Sequence, residues 1–127
     1  MTGMVYRIQP EQVARLIPDP NLALLEYAAI SFELYAALWK DECACILGLI
    51  QRSFIDDGIY LWLHTTPVAQ RHRYAFAWGA KKFIDDLKLR YPVIYGHSNT
   101  DASIEWLTSL GATIIPVGNN VVRTEIR

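Results

Sequence analysis

Three histidines and one basic run are the residues of this chain best suited to move protons or hold an anion. His64 closes the apolar stretch Ile59–His64, and His97 lies just beyond Val93–Tyr95. Imidazole exchanges protons near neutral pH, so either could serve as acid or base in a transfer reaction; a histidine bonded to a loop is the structural alternative. Gln70-Arg71-His72-Arg73-Tyr74-Ala75, with Lys81 and Lys82 beyond, collects cations where a long helical segment begins. The unpaired amides of a helix start favour an anion there, while an ordinary solvated face is the other reading. Asp56 and Asp57 are paired carboxylates, but they stand before Gly58 and fit a turn. Cys43 and Cys45 sit two apart in an apolar run. That spacing disfavours an unstrained disulfide, and two ligands do not make a structural zinc site, so both are read as reduced core residues and no metal is expected.

The pattern around these residues orders the elements that must position them. Val5–Gln9 alternates as a strand, and Pro10-Glu11-Gln12 opens a helix, proline being tolerated in a first turn. Pro18-Asp19-Pro20 ends it, and Asn21 caps a second helix with the stripe Leu22, Leu24, Leu25 and Ala28. Phe32–Trp39 and Cys43–Ser53 form an antiparallel hairpin about Lys40-Asp41-Glu42, and Asp56-Asp57-Gly58 turns into the strand Ile59–His64. Thr65-Thr66-Pro67 then leads into one helix from Pro67 to Leu89, in which Phe76, Ala80, Phe83 and Leu87 make a buried stripe and Lys81 and Asp85 face water. Val93–Tyr95 is a short strand, Asp101–Leu110 a helix stopped by Gly111, and Thr113–Val117 with Val121–Ile126 a closing hairpin.

Length and composition bound the rest. A chain of 127 residues with 52% hydrophobic and 20% charged residues reads as one domain, 1–127, with a single core. Its net charge of -1 gives no field to hold a nucleic-acid backbone or an anionic membrane, so neither is an expected partner. No apolar run reaches membrane-spanning length and no basic head precedes an apolar one, which reads as a cytoplasmic protein.

This element order is similar to the GNAT acetyltransferase fold from end to end, and three stretches carry the resemblance. Ile46-Leu47-Gly48-Leu49-Ile50 looks like the family's third strand about a glycine. Asn99, Ala102, Ser103, Ile104, Leu110, Gly111 and Ala112 resemble the stretch around its last helix, commonly N-x-A-S-I-x-x-L-x-x-L-G-F, with one extra residue before the helix and Ala112 in place of Phe. Gln70–Ala75 matches the pyrophosphate loop Q/R-x-x-G-x-G/A, except that Arg73 stands where glycine gives phosphate close access to the backbone. The family's usual acid, a tyrosine four residues before the glycine ending the last helix, is Leu107 here, and the neighbouring Trp106 has no acidic proton to replace it.

The resemblance implies an α/β (α+β) fold: a central mixed, mostly antiparallel sheet flanked by helices, with the fourth and fifth strands splayed. It implies acetyl-CoA as cosubstrate, without metal, and an amine on a small molecule or protein as acceptor. Leu63 and His64 would orient the pantetheine and polarise the thioester, and Gln70, Arg71, His72, Arg73, Tyr74 and Ala75 would hold the pyrophosphate. Asn99 would bind the coenzyme or solvent, and His64 and His97 are the candidate catalytic groups, with Glu33 and Tyr95 further possibilities. Tyr35, Trp39, Tyr60 and Trp62 offer a homodimer surface if they are not buried within the monomer. The missing glycine and tyrosine also resemble small GNAT-like bacteriophage proteins. That alternative is a weakly active or inactive binding or virion protein, in host cytoplasm or virion.

Overall fold

The polar turn at Lys40-Asp41 sets the first hairpin. A computed structural model of the chain describes residues 3–51, 58–98, 107–109, 111–118 and 121–127. Lys40 and Asp41 both take the left-handed backbone, at φ 49° and 68°, which fits a two-residue turn to the twist of its strands. In chain order the elements are β1 (Gly3–Arg7), a 3-10 turn (Pro10–Gln12), α1 (Val13–Leu16), α2 (Leu22–Ile30), β2 (Glu33–Trp39), β3 (Glu42–Gln51), β4 (Ile59–Thr65), α3 (Pro67–Arg71), α4 (Arg73–Arg90), β5 (Ile94–Ser98), β6 (Thr113–Gly118) and β7 (Val121–Ile126). Asn21 caps α2 as expected, its side chain accepting from the Leu24 amide at 2.7 Å.

The strands form one seven-stranded sheet in the order β1-β2-β3-β4-β5-β7-β6. β1 with β2, β2 with β3, β5 with β7 and β6 with β7 are antiparallel. β4 and β5 are parallel, and their ladder consists of Ile59 with Ile94 and Tyr60 with Tyr95. It stops there although β4 continues to Thr65 and β5 to Ser98. A mixed, mostly antiparallel sheet flanked by helices, with the fourth and fifth strands paired only at their beginnings, is the architecture the sequence implied.

Contacts divide the chain into two compact units, Met1–Ile50 with Trp62–Ala80, and Gln51–Leu61 with Lys81–Arg127. The core of the first holds Val13, Leu24, Ala28, Leu34, Ile46, Leu49 and Trp62. Trp62 is 8% exposed, so it belongs to this core and not to an outer association surface. Its indole N–H donates to Ser31 Oγ at 2.7 Å and its ring lies 5.7 Å from that of Tyr27. The second unit buries Ile59, Ile84, Leu87, Val93, Ile94 and Ile126.

Two expectations about the long helix change. The segment from Pro67 is two helices, because the backbone at His72, φ -123° and ψ 42°, interrupts it. Its buried stripe runs through Ile84 and Leu87, while Phe76, Ala80 and Phe83 are half-buried. Residues 83 and 84 stand three and four positions after Ala80 and so both border one helical face; the aliphatic side chain is the one that sinks. Lys81 and Asp85 are exposed as expected and pair at 3.0 Å. Near the chain's end Leu107, Thr108 and Ser109 are helical. Gly111, at φ 90°, closes that helix: its amide donates to Thr108 C=O at 3.0 Å and that of Ala112 to Leu107 C=O at 3.1 Å.

Candidate functional site

In the first unit β4 passes into α3 through a single residue, Thr66. Its amide donates to Ala44 C=O at 2.9 Å, and its hydroxyl donates to Cys43 C=O at 2.6 Å while accepting from the Val68 amide at 3.3 Å. Pro67 follows at a helical position that needs no N–H. Val68 and Ala69 then bury against Ala44, with Trp39 and Phe76 packed beside them. The end of β4, carrying exposed Leu63 and half-buried His64, is thereby tied to the start of β3.

The interruption at His72 falls inside Gln70–Ala75. The His72 amide still donates to Val68 C=O at 3.2 Å and the Phe76 amide to His72 C=O at 2.9 Å. Arg73, Tyr74 and Ala75 therefore open a new helix, and the leading amides of a helix have no acceptor within it. The side chains of the motif go different ways. Arg71 pairs with Glu42 at 3.1 Å, where side-chain exposures of 62% and 63% leave the pair well solvated and worth little. The His72 ring stacks on Trp39, with centroids 4.5 Å apart and planes 21° from parallel. The Arg73 guanidinium lies 5.0 Å from the Tyr74 ring, on a tyrosine that is 79% exposed, so its side chain stands in solvent rather than across the helix start. Gln70 is exposed and Ala75 half-buried.

In the second unit His97, exposed on β5, meets Tyr60 of β4. His97 Nδ1 is 3.2 Å from Tyr60 Oη and the rings are 5.6 Å apart. Tyr60 was not foreseen as its partner, because the contact depends on the parallel register that sets Tyr60 beside Tyr95, two residues before His97. Tyr95 itself is buried beneath the Arg123 guanidinium, 4.9 Å from its ring. Arg123 and Arg127 both donate to Glu125, at 2.6 and 3.2 Å. Tyr95 thus packs against an ion-pair network.

The other sequence candidates have the following surroundings. Glu33, 7% exposed, accepts from Tyr35 Oη at 2.7 Å and pairs with Arg7 at 3.4 Å, an anchor between β1 and β2. Burial raises the thiols of Cys43 and Cys45, Cys45 the more strongly and with Cys43 adding to it, so neither forms a thiolate at neutral pH. Leu107 is half-buried near the helix end. Asn99, Asp56, Asp57, Ala102, Ser103, Ile104, Trp106 and Leu110 lie outside the described residues. Among the described residues no three His, Cys, Asp or Glu side chains gather as a metal site would require, and no helix is long and apolar enough to cross a membrane.

No family model and no curated protein matches the sequence. Solved structures do. Naa50 of Arabidopsis thaliana in complex with the bisubstrate analogue CoA-Ac-MVNAL superposes with a TM-score of 0.74 at 12% identity, over 100% of this chain and 99% of that one. A spermidine N-acetyltransferase chimera of Vibrio cholerae SpeG and hSSAT gives 0.70 at 11%, covering 99% and 95%. A Bacillus subtilis acetyltransferase in complex with CoA gives 0.67 at 15%, covering 98% and 96%. At such identities the likeness establishes the fold and leaves the chemistry to the residues described above.

Proposed function

We propose that this chain, whose fold is that of the GNAT acetyltransferases, transfers an acetyl group from acetyl-CoA to an amine. One observation carries the proposal: the helix is interrupted inside the stretch that resembles the pyrophosphate loop, so a fresh set of helix-start amides appears at Arg73–Ala75. Amides at a helix start suit phosphate oxygens, and Arg71 and Arg73 add cationic charge beside them. Leu63 and His64, at the end of β4, are suited to orient the pantetheine and the thioester carbonyl. The bisubstrate and CoA complexes among the structural neighbours support the choice of donor.

Transfer needs an acceptor nitrogen freed of a proton and a leaving thiolate supplied with one. His97 is the group we assign to the first task. With Nδ1–H donated to Tyr60 Oη, the lone pair of Nε2 is left to receive the amine proton. The bond from nitrogen to the acyl carbon then forms as the carbon–sulfur bond breaks, and solvent protonates the thiolate, since the family's tyrosine is Leu107 in this chain. His64 is the competing candidate. Leu107 and Arg73 in place of the family's tyrosine and glycine also favour a second reading, a protein of the same fold that binds the coenzyme without turnover.

Calorimetric titration with acetyl-CoA tests the donor site. Arg73→Ala is expected to weaken binding by about 1.5–3 kcal/mol, the range for hydrogen bonds to charged groups. The loss should grow at low salt. Because the Arg73 side chain stands in solvent, Arg73→Gly should weaken binding similarly. Tighter binding by Arg73→Gly would show that arginine obstructs the loop, and identical affinities in all three proteins would place the coenzyme elsewhere.

A further inference from the structure

The interruption at His72 has no local cause in the sequence. Sharp breaks in a helix trace to proline, to glycine, to a π-bulge or to an inserted group. Gln70-Arg71-His72-Arg73-Tyr74-Ala75 contains neither proline nor glycine. Its residues would otherwise continue a helix at modest cost, since none ranks with glycine or proline as a helix breaker. What does sit at the break is the imidazole of His72, stacked on Trp39 at 4.5 Å and 21°. Trp39 is the last residue of β2 and itself packs on the buried cluster of Ala44, Val68 and Ala69. A second tie between the loop and the hairpin, Arg71 with Glu42, is an exposed ion pair and too weak to hold a backbone off its helical course.

We propose that the Trp39–His72 stack is a positioning device: it holds the helix open at His72 and so performs, by tertiary contact, what a loop glycine would do by its own backbone freedom. Given the donor site proposed above, the stack sets the amides of Arg73, Tyr74 and Ala75 free for phosphate without either ring touching the coenzyme. Arginine is then tolerated at position 73 because the break no longer depends on that residue.

His72→Ala removes the stacking ring and His72→Phe retains it without the imidazole nitrogens. Two measurements on the full chain separate the possibilities: titration with acetyl-CoA, and amide hydrogen exchange over residues 67–80. In His72→Ala the amides of Arg73–Ala75 should become protected as the helix runs through, and acetyl-CoA should bind about tenfold more weakly, or about 1.4 kcal/mol. His72→Phe should match the wild type in both, and Glu42→Gln should change neither. The proposal is overturned if His72→Ala exchanges and binds as wild type does. It is equally overturned if His72→Phe is as impaired as His72→Ala, because the imidazole would then be a direct ligand. If the wild type does not bind acetyl-CoA, the donor-site proposal fails, and the exchange comparison still decides whether the stack holds the break.

Discussion

Replacing His97 with glutamine is expected to slow acetyl transfer about 10²–10⁴-fold, the span usual for loss of a general base. A panel of small-molecule and peptide amines serves as acceptor. Coenzyme affinity should hardly change, because His97 is assigned to the acceptor and not to the donor. Tyr60→Phe takes away the hydroxyl 3.2 Å from Nδ1, so the ring loses a polar partner that orients it. A smaller drop in rate, roughly tenfold, is expected, following the cost of misaligning a reacting group. Acetylated product is best measured by mass. A rate unchanged by His97→Gln and lowered by His64→Gln would move the base to β4.

The sequence made the elements legible wherever local rules decide them. Asn21, Thr66-Pro67 and Gly111 each carry their own backbone preference, and each ends or begins an element where expected, while the polar turn expected over Lys40-Asp41-Glu42 closes in the two residues Lys40 and Asp41. The break at His72 was not legible, because its residues have no such preference and the partner, Trp39, is more than thirty positions away. For the same reason Tyr60 could not be matched with His97, thirty-seven residues apart, before the parallel register was known. His97 and the basic motif were found as residue types suited to a task. Their partners, such as the Tyr60 phenol beside His97, are properties of the fold.

Gly48→Ala is expected to destabilise the chain by about 2–3 kcal/mol, towards the upper part of the range for overpacking a filled core. A methyl built on Gly48 would come within 2.6 Å of Ser31 Oγ and closer still to the indole of Trp62. Neither neighbour can retreat cheaply. The Trp62 ring is buried, donates to Ser31 at 2.7 Å and lies against Tyr27, and the Ser31 hydroxyl itself donates to Tyr27 C=O at 2.7 Å. The glycine thus makes room for the contact that docks the end of α2 on the sheet, a packing reason for the apolar run around it. Thermal unfolding should show a midpoint lower by roughly 8–12 °C, from the entropy scale of a domain this size. Gly79→Ala is the control, because a methyl there meets nothing within 4 Å inside α4 and the same substitution should stabilise by about 0.5–1 kcal/mol. Trp62→Phe removes part of the obstructing ring, so the double variant Gly48→Ala with Trp62→Phe should lose less than the two single losses added together. Additive losses would mean that Trp62 is not what the new methyl strikes, and an undisturbed midpoint in Gly48→Ala would show that the seam between Gly48, Trp62 and Ser31 is looser than their distances require.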